Sequence, residues 1–195
     1  MENNYDGLRY RTYTGSMVWN GSGILPYGRK AKEVMAYIAQ ATKNKGIHKR
    51  KMVYSSKKGH AYHWTYVIRA KDPEKRELIA LDMERAVKKA KYIKYSNASK
   101  KNAKLYDSVK NKGFNCAKVK KRTYTNCINY VSVAFNFAGI KTPRKSSART
   151  APSKWVEAHP EELERIKYVH GKTKLLRGDA LDASIKPKVH AAVYL

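Results

Sequence analysis

The stretch TNCINYVSVAFNFAGI, residues 125–140, decides how the chain is organised because it has the pattern of a bounded, buried helix. Its apolar residues recur at helical spacing and share one face: Cys127, Tyr130, Val131, Ala134, Phe135 and Ala138. Thr125 or Asn126 can cap the start of this helix, and Gly139 supplies its end. We therefore predict a core helix that begins close to Cys127.

The position of Cys127 suggests a nucleophile. A helix N-terminus carries unpaired N–H groups and a partial positive charge, which favour the thiolate, the reactive form of cysteine. Basic residues lie just upstream: Lys118, Lys120, Lys121 and Arg122. The same N–H groups could hold an oxyanion. The alternative is that Cys127 is only a small apolar residue of a core helix, since free cysteines are often buried and inert.

A catalytic cysteine needs a base within hydrogen-bond reach, and His190 is the candidate. It stands at the start of the predicted strand KVHAAVYL, residues 188–195. A strand that starts with His and a helix that starts with Cys can bring the two side chains together. A lone His at the start of a strand can equally be structural.

The other elements follow from apolar periodicity and turn residues. Predicted helices cover Arg29–Ala41, Asp72 to about Ile93, Ser99–Gly113, Ser153–His159 and Glu161–Ile166. Predicted strands are Met52–Ser55 and Tyr62–Ile68, which form a hairpin, followed by Ala180–Ile185 and Val189–Leu195. A change from strands to helices near Lys71–Lys75 predicts two parts. These are a basic N-terminal segment, residues 1–75, and a domain over residues 76–195.

The charge of the chain points to an anionic partner. The 195 residues include 42 basic and 15 acidic residues, a formal net charge of +27, which excludes an ordinary near-neutral enzyme. Lys outnumbers Arg 30 to 12. Lys is a hydrated point charge without the planar fork of Arg, so diffuse attraction to a polyanion is favoured over base-specific reading. Nucleic acid, anionic lipid and bacterial wall polymers all fit.

Several classes of site and segment are not expected. The longest charge-free stretch, residues 123–140, contains three Asn and a Ser, so we expect no membrane span there. The N-terminus lacks the apolar core of a signal peptide. Cys116 and Cys127 have no zinc-type spacing, and His48, His60 and His63 have no carboxylate or Cys nearby. We expect no metal and no cofactor. Cys116 is interpreted as a bystander, although a Cys116–Cys127 disulfide is not forbidden.

The segment from Glu84 to Leu195 resembles the NlpC/P60-type cell-wall peptidases, most closely those of phage lysins and Gram-positive wall hydrolases. The helix at residues 125–140 resembles their Asp-Cys-Ser nucleophile helix. LLRGDALDA, residues 175–183, resembles their Gly-Asp strand entry, and HAAVYL, residues 190–195, resembles their His strand. The stretch YSNASKKNAKLYDSVKNKGFN, residues 95–115, is similar to the helical run before their nucleophile.

This resemblance implies an α+β, papain-like fold in which the nucleophile helix packs on an antiparallel sheet, with a small N-terminal α/β appendage. It implies hydrolysis of an amide bond in peptidoglycan stem peptides through an acyl-enzyme, with Cys127 as nucleophile and His190 as base. Gly178 and Asp179 would form the turn into the sheet. The expected partners are peptidoglycan and anionic wall polymers. Without a signal peptide, we expect the host cytoplasm before phage-type release, or the virion.

The chain departs from the family pattern at four points. The Tyr-x-Trp-Gly-Gly-like segment often seen upstream in the family is absent, and KVKKRTYT, residues 118–125, occupies its place. Asn126 replaces the family's Asp, and Ile128 replaces the usual Ser. The family's third catalytic residue lies on the strand after the His strand, but only five residues follow His190. We therefore hypothesise that the hairpin Met52–Ile68 completes the sheet and brings His60 or His63 towards His190.

Two other functions stay open. The first is a catalytically degenerate, basic phage structural or nucleic-acid-binding protein on the same scaffold, with virion proteins or nucleic acid as partners. Tyr62, Trp64 and Tyr66 could then form a stacking platform, although a half-buried strand face explains them as well. The second is an amidase or transpeptidase that uses the same Cys–His pair and differs only in its products.

Overall fold

A computed structural model describes residues 36–195, which form eight strands, four α-helices and two short 3₁₀ turns. The strands are β1 (Tyr37–Thr42), β2 (Gly46–Lys51), β3 (Tyr66–Ala70), β4 (Ile93–Tyr95), β5 (Thr123–Thr125), β6 (Leu163–Lys167), β7 (Ala180–Ala183) and β8 (His190–Tyr194). The helices are α1 (Pro73–Lys88), α2 (Lys104–Val109), α3 (Cys127–Phe137) and α4 (Ala151–Ala158). The fold is α+β.

Six strands form one antiparallel sheet in the order β2-β1-β8-β7-β3-β6, and β4 and β5 form a separate parallel pair. Side chains alternate between the two faces of a strand. Ala191 and Val193 of β8 therefore join the larger core, which includes α3, whereas Ala192 joins a smaller core with Trp64. Strand β8 lies in the middle of the sheet and is covered on both faces.

The nucleophile-type helix was predicted correctly. Residues Cys127–Phe137 are helical, and all residues from Cys127 to Phe135 are buried. The side-chain oxygen of Asn126 accepts a hydrogen bond from the Asn129 N–H at 3.0 Å, which identifies Asn126 as the cap. The two C-terminal strands were also predicted, and they are neighbours as β7 and β8.

The prediction of a helix over Arg29–Ala41 is wrong for the part that the structure describes. Residues 37–42 form β1, between β2 and β8, and residues 29–35 lie outside the described chain. Ile38 and Ala41 are both fully buried although they point to opposite faces of the sheet. A central strand buried on both faces has apolar residues at helix-like as well as strand-like spacing, and this misled the prediction.

The predicted hairpin over Met52–Ile68 is also wrong. Only residues 66–70 form a strand, and this strand pairs with β7 and β6, not with β8. The Ser55 N–H still donates to the Tyr62 carbonyl, so the segment folds back on itself as a loop. The hairpin that contributes to the sheet is β1–β2, which closes through Gly46 at a φ of 64°.

The segment predicted as a helix over Glu161–Ile166 contains the strand β6 instead. Ile166 is half-buried against the smaller core while its neighbours Arg165 and Lys167 are exposed, which is the alternation of a half-buried edge strand. Strands from both sides of the predicted boundary near residue 75 hydrogen-bond within the same sheet. The region 37–195 is one compact unit.

Gly178 and Asp179 form the turn into β7, the role that the family resemblance implied for them. Gly178 has a φ of 90°, and a Cβ placed there would lie 2.0 Å from the Arg76 carbonyl oxygen, so only glycine fits. The buried Asp179 carboxylate accepts two hydrogen bonds from the Arg69 guanidinium, at 2.9 and 2.7 Å. Within residues 36–195, none of the helices is long and apolar enough to span a bilayer.

Candidate functional site

The Cys127 thiol lies at the first residue of α3, against the N-terminal end of β8. It is 7% exposed. The backbone N–H groups of Ala191, Ile128 and Cys127 itself hydrogen-bond towards the sulfur and favour its ionised form. This is the arrangement expected of a cysteine at a helix N-terminus.

Burial nevertheless has the largest effect on the pKa of the Cys127 thiol. It raises the pKa of Cys127 to about 11, against the three N–H groups, and the nearby carboxyl of Asp182 raises that pKa further. We expected the helix start and the basic residues before it to stabilise a thiolate, but in the folded protein the pKa of Cys127 is raised and the thiol form is favoured. The residues Lys120, Lys121 and Arg122 are exposed to solvent, where water screens their charge. At neutral pH the sulfur carries its proton and needs a base.

The imidazole of His190 is placed and oriented by a residue from the other end of the described chain. Its Nε2–H donates a hydrogen bond to Oε1 of Gln40, at 2.7 Å. The rings of Tyr62 and Trp64 lie against it, with centroids 5.8 and 5.9 Å away. His190 is 6% exposed, and burial lowers its pKa to about 4, so the ring is neutral at pH 7.

A chain of hydrogen bonds fixes which ring nitrogen of His190 carries the proton. The Gln40 amide nitrogen donates to Nε2 of His48 at 2.9 Å, and Nδ1–H of His48 donates to the Gly46 carbonyl at 3.1 Å. Since His48 Nε2 must accept, the amide oxygen of Gln40 faces His190 and takes its Nε2–H. The Nδ1 atom of His190 is left unprotonated, with its lone pair free to accept a proton.

The Cys127 thiol contacts the backbone of Ala191, the residue that follows His190 at the start of β8. No direct hydrogen bond joins the sulfur and the imidazole within residues 36–195. The side chains of His190 and Gln40 share one face of the sheet, whereas Ala191 faces α3. The structure thus places the Cys127 thiol against the backbone next to His190, while the imidazole lies on the face of the sheet opposite α3.

His60 and His63 do not fill the third position. His60 Nδ1 accepts a hydrogen bond from the Tyr62 N–H at 3.3 Å, and His63 Nδ1–H donates to the Ser55 carbonyl at 2.8 Å. Both lie in the loop before β3, and β3 is two strands away from β8, whereas β1 is the direct neighbour of β8. The side chain that contacts the His190 imidazole is Gln40 instead. Sequence reasoning missed it because residues 29–41 were interpreted as a helix; a polar residue between Ala39 and Ala41 was the available signal.

Asp182 is a second unusual group beside Cys127. Its side chain is 1% exposed, and Oδ2 has no hydrogen-bond partner within the described chain. Oδ1 accepts a short hydrogen bond from the Ser184 hydroxyl. Burial raises the pKa of Asp182 to about 8, so this carboxyl is largely protonated at pH 7. Asp182 pairs with Ala191 across β7 and β8, on the α3 side of the sheet.

An aromatic groove of about 380 Å³ lies beside the His190 ring. Trp64 belongs to both, because it contacts His190 and lines the groove. Tyr54 and His170 stack within it, with ring centroids 4.2 Å apart and planes 5° from parallel. Tyr168 completes this surface. The groove is therefore lined by aromatic rings, and Trp64 is the residue that links it to the imidazole of His190.

Residues 36–195 contain no cluster of three or more His, Cys, Asp or Glu side chains that could hold a metal ion. Cys116 and Cys127 are both free thiols, so the two cysteines form no disulfide. Cys116 is buried elsewhere, where its backbone N–H donates to the Asp82 carboxylate at 2.8 Å.

Comparison with known proteins identifies one family. A family model described as Endolysin-like domain matches residues 39–194, which include Gln40, α3 and β8. No curated protein and no solved structure shows significant similarity to the chain.

Proposed function

Since the chain belongs to the endolysin-like domain family, we propose that it is a phage lysin that hydrolyses an amide bond in the stem peptides of peptidoglycan. Cys127 is the nucleophile, His190 the base, and Gln40 the residue that orients the base. The proposed fold is the papain-like arrangement of the NlpC/P60 peptidases. In that arrangement the third polar residue normally follows the His strand, whereas here it precedes the nucleophile helix.

The observation that carries this proposal is the tautomer of His190. Its Nε2–H is held by Gln40, so Nδ1 is the nitrogen able to take the thiol proton. A structural histidine needs no such relay, because any hydrogen bond would satisfy it. A base needs a defined lone pair and a fixed ring plane, and the Gln40–His48 pair supplies both.

The proposed reaction begins with a neutral pair. The His190 Nδ1 atom takes the proton of Cys127 as the sulfur attacks the scissile carbonyl carbon, and the oxygen of that carbonyl becomes an oxyanion. The N–H groups at the start of α3 stabilise this charge. Protonated His190 then gives its proton to the departing amine, which leaves an acyl-enzyme. Water, deprotonated by His190, hydrolyses the thioester and regenerates the thiol.

The raised pKa of Cys127 and the lowered pKa of His190 fit this sequence of steps. They favour proton transfer during the attack over a thiolate–imidazolium pair formed beforehand. The aromatic groove beside His190 is proposed to hold the substrate, since flat rings pack well against the apolar faces of sugars and peptide side chains. The phage role places the protein at the bacterial wall during lysis or infection.

The test uses purified Gram-positive peptidoglycan and the full chain. We expect wild-type protein to release new amino groups, with fragments whose masses identify the cleaved amide bond. Cys127→Ala and His190→Ala should each abolish this release, and the double variant should lose no more than either single variant. Cys116→Ser is the matched control because it removes the other free thiol, and it should retain activity. Cleavage that survives Cys127→Ala would overturn the assignment.

A further inference from the structure

A strongly basic groove is lined by residues of α2, of the turn after it and of the segment that leads into β5. It has a volume of about 530 Å³. The basic side chains that line it are Lys104, Lys112, Lys120, Lys121 and Arg122. All of them are exposed, and the buried residues Val119 and Thr123 also contribute to the lining. We refer to this feature as the basic groove.

The positive charge of the basic groove is not compensated. Within residues 36–195, none of its five cations lies within 4.0 Å of a carboxylate in an ion pair. The groove also contains Asp107, but both oxygens of that carboxylate accept hydrogen bonds from Arg144, at 2.6 and 2.5 Å. Five like charges around a concave surface concentrate the positive field there and attract an anion.

We propose that the basic groove binds the phosphodiester backbone of an anionic wall polymer of the teichoic acid class. This proposal rests on the proposed function in one respect: a wall hydrolase works at the bacterial wall, where such polymers lie beside its substrate. Four of the five cations are lysines, which bind a repeating phosphate backbone as point charges without selecting a base.

The aromatic side chain next to the basic groove argues against single-stranded nucleic acid. Proteins that bind single strands stack bases on free aromatic faces. Tyr124 follows the groove directly, but Lys101 lies over its ring at 5.4 Å and Arg122 at 5.6 Å. With cations over its ring, Tyr124 reinforces the positive surface and offers no stacking platform. A polymer with phosphates and no bases fits this surface better.

The basic groove is connected to the candidate nucleophile by β5. Thr123 lines the groove and begins that strand, and Cys127 follows four residues later. At about 3.3 Å per residue, a polymer in the groove would lie roughly 13 Å from the start of α3. Binding there would hold the enzyme against the wall with its thiol close to the peptides that it cleaves.

The experiment measures binding of the full-length Cys127→Ala protein, so that no cleavage interferes, to soluble poly(glycerol phosphate) and to single-stranded DNA of the same charge. The variant Lys120→Gln/Lys121→Gln/Arg122→Gln removes three charges from the groove. The control Lys154→Gln/Lys172→Gln/Lys174→Gln removes three exposed charges elsewhere. We expect the groove variant to lose about tenfold in polymer affinity and to flatten the salt dependence by about one unit per lost contact, with the control nearly unchanged.

Equal losses in both triple variants would overturn the proposal, because attraction would then follow total charge. Stronger binding to DNA than to the polymer, lost only in the groove variant, would assign the groove to nucleic acid instead. Lys104→Gln/Lys112→Gln provides a second test from α2 and the turn after it, and should weaken polymer binding as well. Cleavage of teichoic-acid-free peptidoglycan by otherwise wild-type protein is measured separately. It should be unaffected by the groove variant, so failure of the groove and failure of the enzyme assignment are distinguishable.

Discussion

Gln40 and His190 are 150 residues apart in the chain, yet a hydrogen bond of 2.7 Å joins their side chains across the middle of the sheet. The pairing of β1 with β8 creates this contact, because Gln40 lies opposite Ala192. In the resembled peptidases the strand after the His strand supplies the orienting residue. In the proposed site β1, a strand from the N-terminal side of α3, supplies it.

Replacement of Gln40 should lower turnover more than substrate binding. Gln40→Ala leaves the imidazole without its orienting acceptor, and kcat should fall about 100-fold with little change in KM. Gln40→Glu retains an acceptor for Nε2–H and should recover part of the activity. Its carboxylate should also raise the pKa of His190 from about 4, which moves the acid limb of the kcat profile upward.

The measurement is the initial rate of amide cleavage between pH 4 and 9 for wild type, Gln40→Ala and Gln40→Glu. Because Gln40 is fully buried, thermal unfolding of each variant is recorded alongside. An unchanged kcat in a folded Gln40→Ala protein would show that Gln40 does not orient the base. A loss of activity that Gln40→Glu does not restore or shift in pH would indicate a purely structural role.

His48 is expected to act through Gln40. A protonated His48 carries hydrogen on both ring nitrogens and cannot accept from the Gln40 amide, so the relay to His190 breaks. Burial lowers the pKa of His48 below its usual 6.5, which keeps the relay intact at neutral pH. His48→Ala should reduce kcat about tenfold at pH 7 without changing KM.

The matched control is His60→Ala, since His60 is half-buried in the same part of the fold and contacts Tyr62 rather than Gln40. We expect it to retain near wild-type kcat. Rates for both variants and wild type at pH 5, 6 and 7 separate the two histidines. If His60→Ala is the more damaging change, the loop before β3 and not the Gln40–His48 pair controls the base.

The sequence was sufficient for the nucleophile helix and for β7 and β8, because each has one clear apolar pattern and a clear end. It was insufficient for β1, where burial on both faces removes the alternation that identifies a strand. Because residues 29–41 were predicted to be a helix outside the domain, nothing in the sequence indicated that Gln40 lies beside His190. Long-range strand pairing depends on tertiary packing, which the local pattern of residues 37–42 does not encode.

The pKa of Cys127 was equally hard to predict. Local sequence shows the helix start and the basic residues before it, both of which favour a thiolate. The depth of burial and the approach of Asp182 come from the fold, and together they reverse the direction of the shift. Electrostatic arguments from sequence omit desolvation, which is the largest effect for a group that is 7% exposed.

Asp82 is expected to destabilise the protein at neutral pH. Its side chain is 1% exposed, and burial raises its pKa to about 6, from the ordinary 3.8. The folded protein therefore holds this proton more tightly, and the stability it contributes is lost as pH rises from about 4 to 6. The corresponding free energy is at most about 3 kcal/mol.

Asp82→Asn retains an oxygen that can accept the Cys116 N–H and removes the charge. Part of the gain is lost because the new amide N–H has no partner at the position of Oδ2. We expect denaturant unfolding to show stabilisation of about 1–2 kcal/mol at pH 7.5 and little change or a loss at pH 4.5. The difference between variant and wild type at each pH cancels the opposite contribution of His190. An effect of equal size at both pH values would contradict the ionisation argument.

Asp182 should control the reactivity of Cys127 at alkaline pH. Above about pH 8 its carboxyl is ionised and repels a developing thiolate, which contributes to the raised pKa of the thiol. Asp182→Asn removes this charge, so the thiol pKa should fall. The rate of alkylation by iodoacetamide at pH 9 should rise about threefold to tenfold, measured in a Cys116→Ser background so that only one thiol can react.

Two further variants separate charge from loosened packing. Asp107→Asn removes an exposed carboxylate that is paired with Arg144, and it should leave the alkylation rate unchanged. Ser184→Ala removes the hydroxyl that stabilises the ionised form of Asp182, so the carboxyl should ionise at higher pH. Ionised Asp182 suppresses alkylation of the Cys127 thiol. In the Ser184→Ala variant this suppression should begin at a higher pH, which a looser core would not produce. If Asp182→Asn leaves the alkylation profile of wild type unchanged, the carboxyl does not act on the sulfur, and burial alone keeps the thiol protonated.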